Sequence, residues 1–288
     1  MTAPLQIACV GECMIELSGL DAADGRVAMG VAGDTLNTAI YLARALPRDI
    51  GRVGYVTALG QDALSGRMLD VMAREGVGTA DIARLPDRLP GLYAIETDAA
   101  GERRFHYWRE GSAARAMFAP GALSPELLAR ADAIYLSGIT LAILPEGDRA
   151  ALLAVLERLG RAGRRVVFDS NYRPRLWPDA DTARHWIARG WRAASLALPS
   201  LDDETALFGA DDAAGVLARI AARGPAEIAL KRGADGPLLH HEGRVLHPDC
   251  PAAARVVDTT AAGDSFNAGY LAARLTGAPP AEAARAGH

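Results

Sequence analysis

Short apolar runs alternate along this chain with longer segments whose apolar residues recur at helical spacing. The apolar runs predict β-strands, at residues 7–11, 53–60, 133–138, 165–171 and 226–233. Apolar residues at intervals of three and four predict amphipathic helices, at residues 35–46, 63–76 and 148–163. Because the strands are apolar throughout, we expect a mostly parallel α/β sheet that is buried by helices on both faces.

Two stretches, residues 13–32 and 91–112, have no helical period and interrupt this alternation. In the second stretch, LYAIET and RRFHYW flank the turn-forming sequence DAAGE, which predicts a β-hairpin. Two such insertions into one α/β domain predict a small β lid. The sequence has no internal repeat and no flexible linker. We therefore expect residues 1–288 to form a single domain that carries this lid.

Composition and charge exclude several classes of function. Half of the 288 residues are hydrophobic, and the net charge is −4 with acids and bases mixed along the chain. The absence of a basic face argues against a nucleic-acid partner. The sequence has no secretory leader and no run of about 18 apolar residues, so we expect a cytoplasmic protein without a membrane partner. Cys9, Cys13 and Cys250 lack paired spacing, which predicts reduced thiols rather than disulfides or a zinc site.

The segment RVVDTTAAGDSFNAGYLAARL (255–275) carries the candidate chemistry. Ala261, Ala262 and Gly263 stand just before a helical pattern, where backbone N–H groups can point outward at an anion. Asp264 follows directly. Phosphate would repel a carboxylate at this point, so a carboxylate here is expected to have a function. The function that fits is to accept the proton of an attacking hydroxyl during phosphoryl transfer. For AAGD alone, an ordinary Asp N-cap remains the alternative.

A second group of polar residues lies at the start of the first predicted helix. Gly33, Asp34 and Asn37 stand just before or within its first turn. Small and hydrogen-bonding groups at this point can approach a polyhydroxy ligand closely. The alternative is an Asp N-cap with an Asn on the same helix face.

The predicted hairpin and the strand at 165–171 supply cationic groups. Strand alternation puts Phe105, Tyr107 and Arg109 on one face of the hairpin. Arg173 follows the strand, at the position where open parallel sheets bind ligands. The planar guanidinium suits a carboxylate. The two arginines can therefore bind a ligand that carries a carboxylate, and a surface hairpin with amphipathic side chains is the alternative for Tyr107 and Arg109.

These motifs together resemble those of the ribokinase-like (PfkB) carbohydrate kinases. DTTAAGDSFNAG is similar to the C-terminal signature of that family, and AGDTLNTAIYLAR to its N-terminal signature. Five further segments resemble, in the same order, those of members that act on 2-keto-3-deoxygluconate: GECMIEL, LPGLYAIETDAAGERRFHYWR, YLSGITLAIL, FDSNYRPRLW and KRGADG. The resemblance implies a ribokinase-like α/β fold and transfer of the γ-phosphate of ATP to the 6-hydroxyl of that sugar acid. Kinases for 2-keto-3-deoxygalactonate, fructose or ribose, and a non-catalytic sugar-acid sensor, remain alternatives.

The resemblance also implies roles for individual residues. Asp264 would be the catalytic base, and the amides of Ala261, Ala262 and Gly263 would form the anion hole. Many relatives have Gly at position 261, and Ala preserves the hole if its φ is negative. The implied substrate contacts are Gly33, Asp34, Asn37, Tyr93, Tyr107, Arg109, Ile139 and Arg173. The implied ATP contacts are Asn171, Lys231, Gly233 and Gly236.

Two glutamates follow the first strand. By resemblance Glu16, more than Glu12, would face sugar hydroxyls, with a solvated lid residue as the alternative reading of both. The sequence PAEAARAGH resembles the start of a helix that flanks the adenine pocket in relatives.

The resemblance implies ATP and Mg²⁺ as cofactors, with Mg²⁺ held largely by phosphate oxygens and water. The family's Asn-x-x-Glu motif near the metal is replaced by Ser200 and Asp203, with Glu204 adjacent, so Asp203 is the candidate metal ligand. Asp258, with Thr260, is a candidate for a monovalent cation. The chain has no GxxxxGK[ST] loop and is not a Walker-type enzyme. Relatives commonly pair their lids, so we expect a homodimer or larger homo-oligomer.

Overall fold

The computed structural model of the protein describes residues 3–20, 25–97, 103–251 and 260–288. In chain order the strands are β1 (Leu5–Val10), β2 (Met14–Ser18), β3 (Ala28–Ala32), β4 (Gly51–Leu59), β5 (Ile82–Arg84), β6 (Gly91–Thr97), β7 (Arg103–Trp108), β8 (Ala133–Ser137), β9 (Arg165–Asp169), β10 (Leu196–Ala197), β11 (Glu227–Leu230), β12 (Leu238–His241) and β13 (Arg244–Leu246). The helices are α1 (Asp34–Ala45), α2 (Ala63–Arg74), α3 (Gly138–Ile143), α4 (Glu146–Arg161), α5 (Ala180–Ala193), α6 (Leu201–Phe208), α7 (Ala213–Ala221), α8 (Ala262–Leu275) and α9 (Pro280–Gly287).

Nine of the strands in the described ranges form one central sheet, in the order β13-β12-β11-β10-β9-β8-β1-β4-β5. The strands from β11 to β5 are parallel to their neighbours, and β12 and β13 are added antiparallel at one edge. The predicted mostly parallel sheet is therefore confirmed.

Both faces of this sheet are buried, as the apolar strands predict. Along β8, Ile134 and Leu136 belong to one hydrophobic cluster, while Ala133 and Tyr135 belong to the cluster on the opposite face. Successive side chains of a strand point to opposite faces, so a strand covered by helices on both sides must be apolar at every position. Among the described residues, no helix has the length and apolarity required to cross a membrane.

The lid is a separate four-stranded sheet in the order β3-β2-β6-β7. Strands β6 and β7 form the predicted antiparallel hairpin, with Tyr93 opposite Tyr107. Strand β2 runs parallel to β6 and puts Glu16 opposite Tyr93. All four lid strands fall within the two segments that lack a helical period. That residues 1–288 form a single domain stays a prediction.

The start of α1 differs from the expected capped helix. Gly33 is the N-cap residue and no side chain caps this end. A side-chain carbon added at Gly33 would overlap the carbonyl oxygen of Glu12, so only glycine lets the chain pass this point. Asp34 is the first helical residue, and its carboxylate accepts hydrogen bonds from Ser137 and Asn171 rather than from the helix. The N-cap interpretation of Asp34 is therefore wrong.

Candidate active site

Polar side chains from several elements meet at the carboxyl edge of the central sheet. Ser137 ends β8, Asp169 ends β9 and Lys231 follows β11. Asp34 and Asp264 lie in the first turns of α1 and α8, two helices that pack against each other. Open α/β sheets bind their ligands at this edge. The fold therefore brings together residues that are up to 230 positions apart in sequence.

Asp264 is the most strongly perturbed carboxylate of this group. Its Oδ2 accepts a hydrogen bond of 2.9 Å from the Asn37 side-chain amide. Burial raises the pKa of Asp264 to about 7, and the nearby Asp34 carboxylate adds to the effect, against the opposing influence of Asn37 and Lys231. A general base works best when its pKa lies near the working pH. Asp264 therefore has the environment of a base.

The N-cap alternative for Asp264 is also wrong. Ala261 is the N-cap residue of α8, and among the described residues no side chain caps this helix end. The first N–H groups of a helix have no intrahelical acceptor, and Ala262 and Gly263 are exposed here. A side-chain carbon added at Gly263 would lie 3.8 Å from Nζ of Lys231, so an ammonium stands beside these amides. Exposed amides, a carboxylate of raised pKa and an ammonium therefore lie next to one another, an arrangement that suits an anionic ligand.

Ala261 does not have the backbone conformation that we expected. Its φ is +58°, in the left-handed region, whereas the preserved anion hole was predicted from a negative φ. A residue with a Cβ pays about 1–2 kcal/mol in this conformation, which glycine avoids. The helix still starts normally, because the Ala261 carbonyl accepts the Ser265 N–H at 2.8 Å. The left-handed conformation of Ala261 therefore does not disturb the first hydrogen bond of α8.

Asp34 links α1 to two strand ends. Its Oδ2 accepts a hydrogen bond of 2.5 Å from the Ser137 hydroxyl and one of 2.8 Å from the Asn171 side-chain amide. Asn171 has a φ of +31°, which Asn tolerates better than most residues. Asn171 was predicted to contact ATP, and in this structure its amide lies against Asp34, a predicted substrate contact.

Three aromatic rings lie together on one face of the lid. The rings of Tyr93, Phe105 and Tyr107 lie with centroids 5.8 to 6.3 Å apart, which confirms the face predicted for Phe105 and Tyr107. The Tyr93 hydroxyl donates to Glu16. Burial, Glu16 and the charge of Asp264 all raise the pKa of Tyr93, so this hydroxyl lies within electrostatic reach of Asp264.

Arg109 is held in a buried ion pair that the sequence did not indicate. Its guanidinium donates to Glu12, which also accepts a 2.5 Å hydrogen bond from the Ser112 hydroxyl. Arg109 is 8% exposed and Glu12 is 2% exposed, so the solvated-lid alternative for Glu12 is wrong. The Arg109 Cζ lies 5.8 Å from the Tyr107 ring centroid, as their predicted common face requires.

Arg173 is the more accessible of the two predicted arginines. Its side chain is 52% exposed and lies 3.2 Å from Asp203 Oδ1. Burial raises the pKa of Asp203, and the Arg173 charge opposes that shift. Ser200 caps α6 by accepting the Asp203 N–H at 3.2 Å. Glu204 is fully buried against Arg219, which leaves Asp203 as the carboxylate nearer to the site.

The structure describes no preformed metal cage. Within the described ranges, no group of three or more His, Cys, Asp or Glu side chains is arranged to hold a metal ion. Asp258 lies outside the described residues, and its role at a cation site stays a prediction. Thr260 is described and lies exposed, one residue before Ala261.

The remaining predicted contacts lie around this edge of the sheet. Gly233 and Gly236, two of the predicted ATP contacts, have φ of +55° and +70° and lie in the turn between β11 and β12. Ile139 lies in the first turn of α3, partly buried against the core.

Sequence reasoning missed Asp169 and Asn267, which are both buried at the site. Asp169 Oδ2 accepts hydrogen bonds from Lys231 at 2.6 Å and from the Asn267 amide at 2.7 Å. A carboxylate that ends a buried parallel strand, and an Asn three residues after the candidate base, were the available signals.

Comparison with known proteins identifies the family and the fold. The pfkB family carbohydrate kinase profile matches residues 5–288. The chain is 48% identical to a 2-dehydro-3-deoxygluconokinase of Dickeya dadantii, over 98% of this chain and 92% of that protein. A 2-dehydro-3-deoxygluconokinase of Escherichia coli is 46% identical over the same shares. The crystal structure of a PfkB protein from Polaromonas matches with a TM-score of 0.86 at 27% identity, over 98% of this chain and 93% of that chain, which confirms the predicted fold. The chain therefore belongs to the pfkB family of carbohydrate kinases.

Proposed function

We propose that this protein transfers the γ-phosphate of ATP to the 6-hydroxyl of 2-dehydro-3-deoxygluconate, the sugar acid also called 2-keto-3-deoxygluconate. The products are 2-dehydro-3-deoxy-6-phosphogluconate and ADP. The observation that carries the proposal is Asp264, a half-buried carboxylate with a pKa of about 7 beside the exposed amides of Ala262 and Gly263. Identities of 46 to 48% with two kinases named for this substrate support the choice of acceptor.

The chemistry follows from these positions. Asp264 accepts the proton of the 6-hydroxyl while the hydroxyl oxygen bonds to the γ-phosphorus. The bond between the γ-phosphorus and the bridging oxygen of the β-phosphate breaks, which releases ADP. The amides of Ala261, Ala262 and Gly263 and the ammonium of Lys231 stabilise charge on the transferred group. Such preorganised donors supply much of the rate enhancement, because they need no reorganisation during the reaction.

We propose that the sugar acid lies between α1 and the aromatic face of the lid. The start of α1 contacts the sugar acid through Gly33, Asp34 and Asn37. The lid contacts it through Tyr93 and Tyr107.

At the far end of the sugar acid, Arg173 binds the substrate carboxylate. It can leave Asp203 to do so, because exposed ion pairs such as Arg173–Asp203 are weak and exchange partners readily. Arg109 adds its Nε, which has no hydrogen-bond partner among the described residues. Ile139 borders the same end.

The nucleotide lies on the other side of Asp264 in this proposal. Asn171, Lys231, Gly233 and Gly236 contact ATP. The carboxylate oxygens of Asp203 fit Mg²⁺, a hard cation that keeps most of its ligands as water and phosphate oxygens. Bound there with ATP, Mg²⁺ neutralises phosphate charge. We also propose a monovalent cation near Asp258, and a dependence of turnover on K⁺ that is absent from Asp258→Ala would test it.

An ADP-release assay with a panel of acceptors tests the function. We expect 2-dehydro-3-deoxygluconate to give a kcat/KM at least about tenfold above those of fructose and ribose, because one well-placed ionic hydrogen bond is worth about 1.5–3 kcal/mol. The galactonate epimer is included, since it differs at one hydroxyl. Faster turnover of fructose would contradict the proposed substrate, and sugar binding without ADP would indicate a sensor.

The Arg173→Ala variant serves as an arm of the same assay. We expect it to raise KM for the sugar acid about tenfold or more and to leave KM for neutral sugars unchanged, because only the acid loses an ionic contact. Arg175→Ala, two residues away, is the matched control and should change neither value.

We propose further that two copies pair through the lid. Strand β7 is the edge of the lid sheet, and all six of its residues are exposed. Trp108 and Leu89 are each 62% exposed next to this edge. Unpaired edge strands and exposed apolar side chains are features of association surfaces. Light scattering should give about twice the 30.2 kDa chain mass, and Trp108→Glu should halve it. A fully active monomer would contradict the pairing.

A further inference from the structure

A buried cluster below the start of α8, which we call the Lys231 cluster, contains Asp169, Lys231, Asn267 and Tyr135. Lys231 Nζ donates to Asp169 Oδ2 at 2.6 Å and to Asn267 Oδ1 at 2.9 Å. The Asn267 amide donates to Asp169 Oδ2 at 2.7 Å and lies 3.0 Å from the Tyr135 hydroxyl. Asp169 is 3% exposed, and Asn267 and Tyr135 are fully buried. The four groups form one connected hydrogen-bond network.

This network fixes the direction of the Lys231 ammonium. An ammonium has three donors, and within the described residues Asp169 and Asn267 take two of them. The Nζ lies 3.8 Å from the position of a side-chain carbon built on Gly263. The third donor is therefore available on the side of the anion hole.

We propose that Asp169 and Asn267 are positioning residues, which hold the Lys231 ammonium beside the Gly263 amide so that its charge meets the transferred phosphoryl group. The inference rests on the proposed phosphoryl transfer and deepens it. Lysine has a flexible four-carbon stem, and an unanchored ammonium would spread over many rotamers. Anchored in advance, it needs no reorganisation when charge develops.

The charges around Asp264 give this proposal a second readout. The groups that face Asp264 come from every element packed against it: Asp34 and Asn37 from α1, Tyr135 from β8, Asp169 from β9, Lys231 after β11 and Tyr93 from the lid. Of these, Asp169 raises the pKa of Asp264 and Lys231 lowers it. Removal of the Asp169 charge should therefore lower the pKa of Asp264, and removal of the Lys231 charge should raise it.

A double-mutant cycle tests whether Asp169 acts through Lys231. Removal of one preorganised donor costs about 10²–10³-fold in kcat, so we expect that loss for Lys231→Met. Asp169→Asn should lose about 10-fold or more, and the double variant should stay within about threefold of Lys231→Met, because residues that act as a unit are not additive. Losses that multiply would overturn the inference. Lys231→Arg should recover part of the activity, as an anchored cation remains.

The second measurement needs no substrate. The difference in unfolding free energy between the parent and its Asp264→Asn derivative, followed against pH, reports the pKa of Asp264. We expect Asp169→Asn to lower this pKa more in the Lys231→Met background than in the parent, because in the parent the freed ammonium moves away from Asp264 and offsets part of the fall. Equal shifts in the two backgrounds would overturn the inference.

A matched control separates these effects from general damage. Asp132 lies just before β8, at the opposite edge of the sheet, and pairs with Arg164 at 2.5 Å. Asp132→Asn should leave kcat within about twofold, because this half-exposed ion pair lies away from the site. The cycle is measured with whichever acceptor the panel selects, so an error in the sugar assignment leaves the test intact. If no acceptor is phosphorylated, the pH readout decides alone.

Discussion

Asp264→Asn is expected to lower kcat by about 10²–10⁴-fold, the usual loss when a general base is removed. The variant keeps the shape of the side chain and can still accept the hydrogen bond from Asn37, which is 2.9 Å long in the parent. It cannot take up the hydroxyl proton. ADP release at saturating ATP and sugar acid measures the loss. A variant that keeps more than about a tenth of the parent kcat would contradict the assignment of the base.

The same variant should be more stable than the parent above neutral pH. The pKa of Asp264 is raised from its ordinary value to about 7 in the folded protein, mainly by burial. Ionisation is therefore easier in the unfolded chain, so stability is lost as pH rises towards 7 and the penalty is complete above it. Asn carries no charge and avoids the penalty. We expect a higher Tm for the variant at pH 8 and little difference near pH 4; a lower Tm at pH 8 would show general structural damage.

Gly138→Ala should cost about 1–3 kcal/mol in unfolding free energy, the range for overpacked interiors, together with most of the activity. Gly138 begins α3, and an added side-chain carbon would overlap the backbone carbonyl oxygen of Ser170. Backbone cannot give way as a flexible side chain can. The displaced segment carries Asp169 and Asn171, so the damage reaches the site. Thermal unfolding and ADP release measure both effects.

Gly66→Ala is the matched control for this substitution. Gly66 lies inside α2, and an added side-chain carbon there would meet nothing within 4 Å. Alanine favours a helix interior over glycine by about 0.5–1 kcal/mol, so this variant should be slightly stabilised and fully active. Equal stability and activity of the two variants would contradict the close approach of Gly138, at the start of α3, to the Ser170 backbone.

Much of the fold was predictable because its signals are local. The apolar runs that became β1, β4, β8, β9 and β11 are buried on both faces, and burial on both faces leaves a continuous apolar pattern. The lid was predictable because its segments lack a helical period. Strands β5 and β10 were missed, since three and two residues are too short to carry a period.

In the candidate site, too, the features carried by one local segment were predictable and those set by long-range packing were not. Asp264 and the small residues before it are contiguous, so one segment predicted both base and anion hole. The pairing of Arg109 with Glu12 spans 97 positions, and that of Lys231 with Asp169 spans 62. Such partners are set by how strands and helices pack, which no local pattern contains. The left-handed Ala261 was equally unpredictable, because alanine rarely adopts that conformation.

Identification of the product by ³¹P NMR tests the central claim most directly. ATP and 2-dehydro-3-deoxygluconate are incubated with the wild-type protein and, in parallel, with Asp264→Asn. We predict one new phosphomonoester, with its phosphorus coupled to the protons on C6, in amounts equal to the ADP formed, and almost none with the variant. Inorganic phosphate in place of the ester, an ester at another carbon, or equal yields from the two proteins would contradict the assignment of Asp264 as the base that activates the 6-hydroxyl.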